Sequence, residues 1–318
     1  MKIQDIAKLA NVSASTVSRV FSNHPRIREE VRQRVLAIAK QYNYSPRVTG
    51  KQRNITILIP DDPGYPAHYC VEILVMSLSN ELSCHNFRTE ILPWNNRDRL
   101  RSIPFHGVAA IGIDAREFRE WDCHFAQPLV VLDRDIPRPT NGVWQVSSDE
   151  WQGMELAVAR FREGGIRKVG CLIYGDPGHG NADIRFLAAK EALAKYGYPT
   201  EGNLFAYTSS ANYFEIVGEM LSYKVDALLC PGHSGGVQTA YALNLFGKRI
   251  PEEISLIASE LCFFSPYATP PQTTLTPDYL EIARKTVEIF QTVLCGGTFP
   301  AKTVLPYKLT ERKSVRRN

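Results

Sequence analysis

The chain has 318 residues, of which 44% are hydrophobic and 22% are charged, and its net charge is +4. This is the composition of an ordinary globular protein, and the length allows two or three domains. No apolar run approaches the ~20 residues that cross a membrane, and residues 1–10 lack the apolar core of a signal peptide. We therefore expect a cytosolic protein without a membrane partner.

The positive charge is concentrated at the N-terminus. Residues 1–54 contain eleven Lys and Arg against three acids, which gives +8 and leaves −4 for the rest of the chain. A basic head on an acidic body predicts that the head meets a polyanion, although a solvated basic face is the alternative.

Three apolar stripes at helical spacing predict three helices in the head. Ser13 is placed to cap the second helix by accepting a backbone N–H. The stripes are Ile3, Ile6, Ala7 and Ala10; Val17, Val20 and Phe21; and Val31, Val35, Ile38, Ala39 and Tyr42. Two short helices joined by a tight turn and closed by a third are typical of a helix-turn-helix DNA-binding unit.

The outward face of the second helix is the predicted reading surface. Arg19 has the geometry for a bidentate pair with guanine, Ser15 can bond several base edges, and Ala14 suits a thymine methyl. Other polar and basic side chains would complete the interface and bind phosphates. The predicted DNA-binding residues are Lys2, Ala14, Ser15, Thr16, Arg19, Ser22 and Arg26. A small helical bundle without nucleic acid is the alternative.

After residue 54, short β-rich apolar runs alternate with amphipathic helices. This alternation predicts parallel sheets that are covered by helices on both faces. Ligands of such sheets bind beyond the carboxyl ends of the strands. Asp114, Asp133, Glu260 and the segment GHSGG (232–236) follow predicted strands.

The segment GHSGG also fits the G-x-S-x-G pattern of a hydrolase, with Ser234 as the nucleophile. That chemistry needs a histidine later in the chain, but none of the seven histidines follows Ser234. We therefore expect no catalytic residues, and the glycines are interpreted as allowing a close turn beside a ligand or at a helix start.

The cysteines and the C-terminus complete the composition. The seven cysteines are odd in number, scattered and without C-x-x-C spacing, which predicts free, buried thiols and no metal site. No cofactor is expected. The basic tail ERKSVRRN is expected to be disordered.

The head resembles that of the LacI/GalR family of bacterial transcription regulators. The run V-S-x-x-T-V-S-R-V stands at 12–20, and the likeness continues through LVVLDRD (129–135), IPEEISLIA (250–258) and LPYKLTERKS (305–314). The resemblance implies an all-α helix-turn-helix head plus an α/β periplasmic-binding-protein-like effector domain of two Rossmann-like lobes around a ligand cleft, in a homodimer. The expected domains are a head at 1–46, a hinge linker at 47–54 and an effector and dimerisation domain at 55–318. Lobe 1 is expected at about 55–147 and 278–302, and lobe 2 at about 148–277 and 303–318.

The resemblance also suggests effector-binding residues. Arg185 matches an arginine that binds effector hydroxyls or carboxylates, and Asp133 and Glu260 match acidic positions that accept sugar hydroxyls. Position 260 departs from the family, which usually has Asp there, and Gly232 and His233 replace an Asn-Asp turn. The predicted set is Tyr69, Asp114, Asp133, Arg185, His233, Glu260 and Tyr279, whereas Asp149 is expected to hold the crossover between lobes.

The linker is a second departure from the family. It has eight residues between Pro46 and Ile55, with Gly50 in the middle and no leucine, where the family has a hinge helix whose leucine wedges into the minor groove. Arg47, Val48 and Lys51 are the hinge candidates, with Val48 as a weak wedge. We expect reduced operator bending and looser coupling between the effector cleft and DNA.

The sequence therefore predicts a regulator that binds a palindromic operator as a homodimer and responds to a sugar or sugar-like effector. The effector is open between an unusual, an acidic or modified sugar and none at all, and repression is favoured over activation without being decided. A periplasmic-binding-like ligand-binding module without DNA function is the alternative. An enzyme of the G-x-S-x-G type is the less favoured one.

Overall fold

A computed structural model describes the protein at residues 2–24, 26–42, 44, 53–61, 69–134, 140–178, 181–209, 211–232 and 235–317, with the backbone alone at residue 69. No helix within these ranges is long and apolar enough to cross a membrane.

The head contains three helices, α1 (Ile3–Leu9), α2 (Ala14–Phe21) and α3 (Glu29–Gln41). The Ser13 hydroxyl caps α2 by accepting the backbone N–H of Thr16 at 3.1 Å. The predicted stripes meet in one core, at which Ile6, Val17 and Val35 are fully buried. The three-helix prediction is thus confirmed.

Tyr42 does not belong to this core. It follows the last residue of α3 and is 45% exposed, because the chain leaves helical geometry at this point. Tyr44 packs against the head instead, with its ring 5.8 Å from that of Phe21.

The body alternates strands and helices, as predicted. In chain order its elements are β1 (Arg53–Ile59), α4 (Tyr69–Cys84), β2 (Phe87–Pro93), β3 (Gly107–Ile111), α5 (Trp121–His124), β4 (Leu129–Leu132), β5 (Val143–Ser148), α6 (Glu150–Glu163), β6 (Val169–Tyr174), α7 (Asn181–Lys195), β7 (Phe205–Thr208), α8 (Tyr213–Ser222), β8 (Ala227–Cys230), α9 (Gly235–Leu245), β9 (Ser255–Ser259), β10 (Thr273–Thr276), α10 (Tyr279–Val293), β11 (Lys302–Leu305) and β12 (Lys308–Thr310).

The strands form two six-stranded sheets. Their orders are β11-β5-β4-β3-β1-β2 and β12-β10-β9-β8-β6-β7. The central strands pair in parallel, while β12 runs antiparallel to β10. Strands such as β3, β4 and β8 are buried along their whole length, as expected for sheets covered on both faces. The helix-turn-helix and two-lobe α/β prediction is confirmed.

The chain divides into two compact units. Unit 1 contains residues 1–63, 71–147 and 279–304, and unit 2 contains residues 64–70, 148–278 and 305–318. The head and the first sheet therefore belong to unit 1, and the second sheet to unit 2. The sequence-based domain boundaries stay a prediction.

The head is held against the loop that follows β2 within unit 1. Asn23, at the end of α2, is buried and donates its side-chain amide to the carbonyls of Leu100 and Ile103. Its Oδ1 accepts a hydrogen bond from Arg32, which is also buried. Gln127 donates to the Phe21 carbonyl at 2.9 Å. Because the side chains of Asn23, Arg32 and Gln127 are buried, their bonds are costly to lose.

The C-terminal tail is ordered, so the prediction of disorder is wrong. Ser314 is fully buried, donates its hydroxyl to the Leu256 carbonyl at 2.6 Å and accepts from the Thr273 backbone N–H at 2.7 Å. Arg316 binds the carbonyls of Gly164 and Gly165. The Arg316 guanidinium is therefore bound by backbone carbonyls of unit 2, and composition alone does not reveal such a contact.

None of the seven cysteines, all of which the structure describes, forms a disulfide, as predicted, but only Cys171 and Cys230 are buried. Burial raises the pKa of the Cys230 thiol to about 12. Cys84, Cys123, Cys262 and Cys295 are exposed, so the expectation of buried thiols is wrong for these four.

We predict that two leucines of α7 contribute very differently to stability. Leu193 is 0% exposed in the core of unit 2, and Leu187, on the same helix, is 55% exposed. Leu193→Ala should lower the free energy of unfolding by about 2–5 kcal/mol through a lost apolar contact and a cavity. Leu187→Ala should change it by less than about 0.5 kcal/mol. Denaturant unfolding followed by circular dichroism measures both, and equal losses would contradict this core.

We predict that the Asn23 side chain stabilises the docked head. Asn23→Gly keeps the positive φ of 49° accessible but removes the acceptor of Arg32 Nη1 and the donor to two carbonyls, which should cost about 2–3 kcal/mol. Amide hydrogen exchange of α2 and α3 should accelerate accordingly. Asn86→Gly is the matched control, since Asn86 is exposed and has a φ of 60°; similar exchange in both variants would refute the assignment.

Candidate nucleic-acid interface and effector site

The outward face of α2 presents polar groups to solvent. Ser15, Ser18 and Arg19 are exposed, while Ala14, Thr16 and Ser22 are half-buried. The Ser13 hydroxyl lies 2.8 Å from both the Ser15 Oγ and the Thr16 Oγ1. The capping residue therefore holds the two hydroxyls at the start of the helix, and Ser18 is an exposed side chain on α2 that the sequence analysis did not select.

Arg19 is the strongest candidate for base contact on this face. Among the described residues, its guanidinium makes no ion pair or hydrogen bond, and its carbonyl accepts from the Ser22 hydroxyl at 3.3 Å. An exposed fork of donors on a rigid helix suits a bidentate acceptor pair such as guanine O6 and N7. The docking contacts involve Asn23 and the Phe21 carbonyl, so they leave this face open.

The other basic side chains of the head differ in their exposure. Lys2 and Arg26 are exposed, which a side chain that contacts phosphate must be. Arg32 is buried beside Asn23, where burial lowers its pKa, so it serves the fold rather than an outside anion. The hinge candidates Arg47, Val48 and Lys51 lie outside the described residues.

Arg185, the central effector candidate, is held by a carboxylate of its own unit. Its Nε and Nη2 lie 2.9 and 2.8 Å from the Glu150 Oε1. Both side chains are largely buried. On its other side, Arg185 Nη1 is 2.9 Å from the position that a Cβ on Gly232 would occupy. Arg185 thus joins the start of α6 to the turn after β8.

Glu260 makes a similar pair. Its Oε2 accepts from Arg312 at 2.9 Å and from the Thr274 hydroxyl. The backbone N–H of Gly232 donates to the Ser259 hydroxyl at 2.7 Å. The turn after β8 and the end of β9 are therefore in contact at the carboxyl edge of the second sheet.

Packing explains why glycine stands at two positions of GHSGG. Gly232 has a φ of +95°, and any side chain there would meet Arg185. A Cβ on Gly236 would come within 2.6 Å of the Ala258 Cβ, because α9 packs closely on β9. Ser234 and His233 lie outside the described residues.

The remaining effector candidates belong to unit 1, apart from the backbone of residue 69. Asp114 pairs with Arg116 at 2.6 Å, and this hydrogen-bonded partner lowers the pKa of the carboxyl. Asp133 is buried with a φ of 52°, at the end of β4. Tyr279 is half-buried at the first turn of α10. The Tyr69 side chain lies outside the described set.

The structure adds residues that the sequence did not indicate. One is Glu150, which has no local signal of its own. The residue before it, Asp149, is the one that caps α6, with its Oδ1 accepting the Gln152 backbone N–H at 3.1 Å. Arg312 was assigned to a disordered tail. Both partners are remote in sequence from the groups they neutralise, so no local pattern could have found them.

Comparison with known proteins places the chain in a family. Residues 2–47 match the family model of bacterial regulatory proteins, lacI family. Residues 158–315 match the model of a periplasmic binding protein-like domain. ExuR of Bacillus subtilis (strain 168), described as a probable HTH-type transcriptional repressor, is 26% identical over 291 residues, which are 86% of this chain and 85% of that protein.

Two solved structures are similar over 99% of both chains, with a TM-score of 0.72 in each case. One is the complex of the transcriptional regulator CelR with cellobiose, at 21% identity. The other is the lac repressor dimer bound to operator and the anti-inducer ONPF, at 19% identity. These likenesses support the fold. With its helix-turn-helix head, its two parallel α/β sheets and both family models matched, the chain belongs to the lacI family of bacterial regulatory proteins.

Proposed function

We propose that the protein is a sequence-specific DNA-binding transcriptional regulator, acting in the cytoplasm as a repressor. The single observation that carries this proposal is the outward face of α2, which presents the Arg19 guanidinium and the Ser15 hydroxyl on a capped, exposed helix. Arg19 reads a guanine, Ser15 and Thr16 complete the base contacts, and Lys2 and Arg26 bind phosphates. The protein acts by binding and not by catalysis.

The operator is a near-palindrome read by two heads. A homodimer presents two identical reading helices, and the two-fold symmetry of the protein then matches the symmetry of the site. Exposed apolar side chains on α9, Tyr241 and Leu245, support a second copy as partner. The similar lac repressor structure is a dimer bound to operator.

A sugar-like effector modulates the regulator. Arg185 and the turn at Gly232 meet at the carboxyl edge of the second sheet, where ligands of such sheets bind. Effector binding can be coupled to the head without a hinge helix, because Asn23 of the head is bonded to the segment 100–103. A shift of that segment moves Asn23 directly. The effector acts by favouring one arrangement of the dimer over another.

The alternative is a ligand-binding module whose head associates with protein. The two functions differ in electrostatics. DNA binding releases condensed counterions, so log K falls by about 0.9 per phosphate contact for each unit of log salt. A protein-association head has no such requirement.

We predict a steep salt dependence of duplex DNA binding, measured by fluorescence anisotropy. Arg26→Ala should reduce the slope by about one phosphate contact. Arg88→Ala, an exposed arginine on β2 of the same unit, should leave the slope unchanged. A shallow slope, or equal effects of the two substitutions, would favour the alternative.

A further inference from the structure

The head is bonded to the rest of unit 1 at the end of its reading helix α2. The Phe21 carbonyl, at the last residue of α2, accepts from the Gln127 side-chain amide at 2.9 Å. Asn23, shortly after it, donates to the Leu100 carbonyl and, at 2.8 Å, to the Ile103 carbonyl. Gln127 is 5% exposed and Asn23 is 1% exposed. Because both side chains are buried, their bonds are costly to lose, and they hold the end of α2 in one place.

A further contact comes from another helix of the head. Lys40, near the end of α3, places its Nζ 2.7 Å from the Asp122 Oδ2 on α5. The lysine is 56% exposed, so this ion pair contributes little energy. It adds a point of attachment away from α2, however, and contacts from two helices restrain a rotation that one contact would allow. Side chains of unit 1 outside the head therefore fix the orientation of α2.

These polar contacts matter because the apolar packing beside them is incomplete. Leu36 and Ala39 of the head line a shared cavity of about 260 Å³ with Phe125 and Trp144 of the body. Dispersion attraction is lost across such a gap. Removing the polar contacts should therefore release the head, since the apolar surfaces do not close against each other there.

The docked head keeps its reading face free. Ser15 and Arg19 are exposed on the outward side of α2, whereas the bonds to the body come from Phe21, Asn23 and Lys40. A docked head can therefore meet DNA without leaving the body. In a symmetric dimer, a head that is fixed on its own body also fixes the separation of the two reading helices, and this separation selects the distance between half-sites.

We propose that Asp122 and Gln127 are positioning residues for operator recognition. They, and not the linker predicted at 47–54, set the half-site spacing that the dimer accepts, by holding Lys40 and the end of α2. The proposal rests on the proposed DNA-binding function and deepens it. It makes the length of the linker a weak determinant of operator choice.

A spacing series on the full-length protein tests this assignment. The probes are duplexes that carry the half-site enriched from a random pool, either once or twice. In the double probes the spacer grows by single base pairs over about one helical turn, roughly 10 base pairs. Two linked heads bind two half-sites with a high effective concentration only where the geometry lets both engage. By fluorescence anisotropy, the wild type should prefer one spacing by about tenfold or more.

A longer linker separates the two explanations. Inserting Gly-Ser-Gly-Ser after Gly50 should keep the preferred spacing, with its advantage within about twofold of the wild type, because the body still holds the head. Adding Asp122→Arg and Gln127→Ala to the insertion leaves Asn23 as the one polar contact of the head with the body among the described residues. The head can turn about this contact, so the spacing preference should flatten to about threefold or less.

The matched control carries the same insertion with Asp98→Arg and Gln291→Ala. Both residues are exposed in unit 1, and the change in net charge is the same, so this protein should keep the spacing preference. Affinity for the single half-site should stay within about twofold in every protein, because residues 1–44 are unchanged. This readout separates a positioning role from a general effect on folding.

Any of four results would overturn the proposal: the wild type shows no preferred spacing, the insertion alone abolishes the preference, the combined variant keeps it, or the combined variant also loses affinity for the single half-site. The first two need no substitution in the interface, so misfolding of the combined variant cannot rescue the idea. Half-site binding by the wild type together with any of these results removes the positioning role alone. A wild type that enriches and binds no half-site removes the proposed function itself.

Discussion

The central strands of two sheets, buried on both faces, constrain where this protein can place polar chemistry. Strands such as β3, β4 and β8 have no exposed residue, so charged groups are found on edge strands, at strand ends, on helix surfaces and in the head. A shared strand direction brings the turn at Gly232 and the end of β9 to the same edge. Arg185 meets the turn at Gly232 at this edge, where ligands of parallel sheets bind.

Two arginines of unit 2 are neutralised within the fold. Arg185 and Arg312 are each paired with a buried glutamate. Such pairs contribute little net stability, because the desolvation of two charges offsets their attraction, but breaking one leaves a costly uncompensated charge. The ion pairs are therefore better understood as fixing the orientation of two carboxylates than as stabilising the fold. The head follows the same rule, with Asn23 satisfying buried Arg32.

The sequence predicted what depends on local periodicity. The three head helices, the Ser13 cap and the alternation of strands and helices follow from residues a few positions apart, so they could be read directly. The partners of Arg185 and of the tail are 35 or more positions away, and nothing in their local pattern distinguishes them. The prediction that Tyr42 belongs to the third apolar stripe was wrong for another reason. Its spacing continues the stripe, but the helix ends at Gln41.

Selection of binding sites from a random pool of duplex DNA, with the full-length protein, tests the central claim most directly. A regulator with two reading helices should enrich a near-palindrome whose half-sites are about one helical turn, or a multiple of it, apart. Arg19→Ala should fail to enrich that site, whereas Arg88→Ala should enrich it as the wild type does. No enriched sequence, or the same sequence with and without Arg19, would contradict the assignment of α2 as the reading helix.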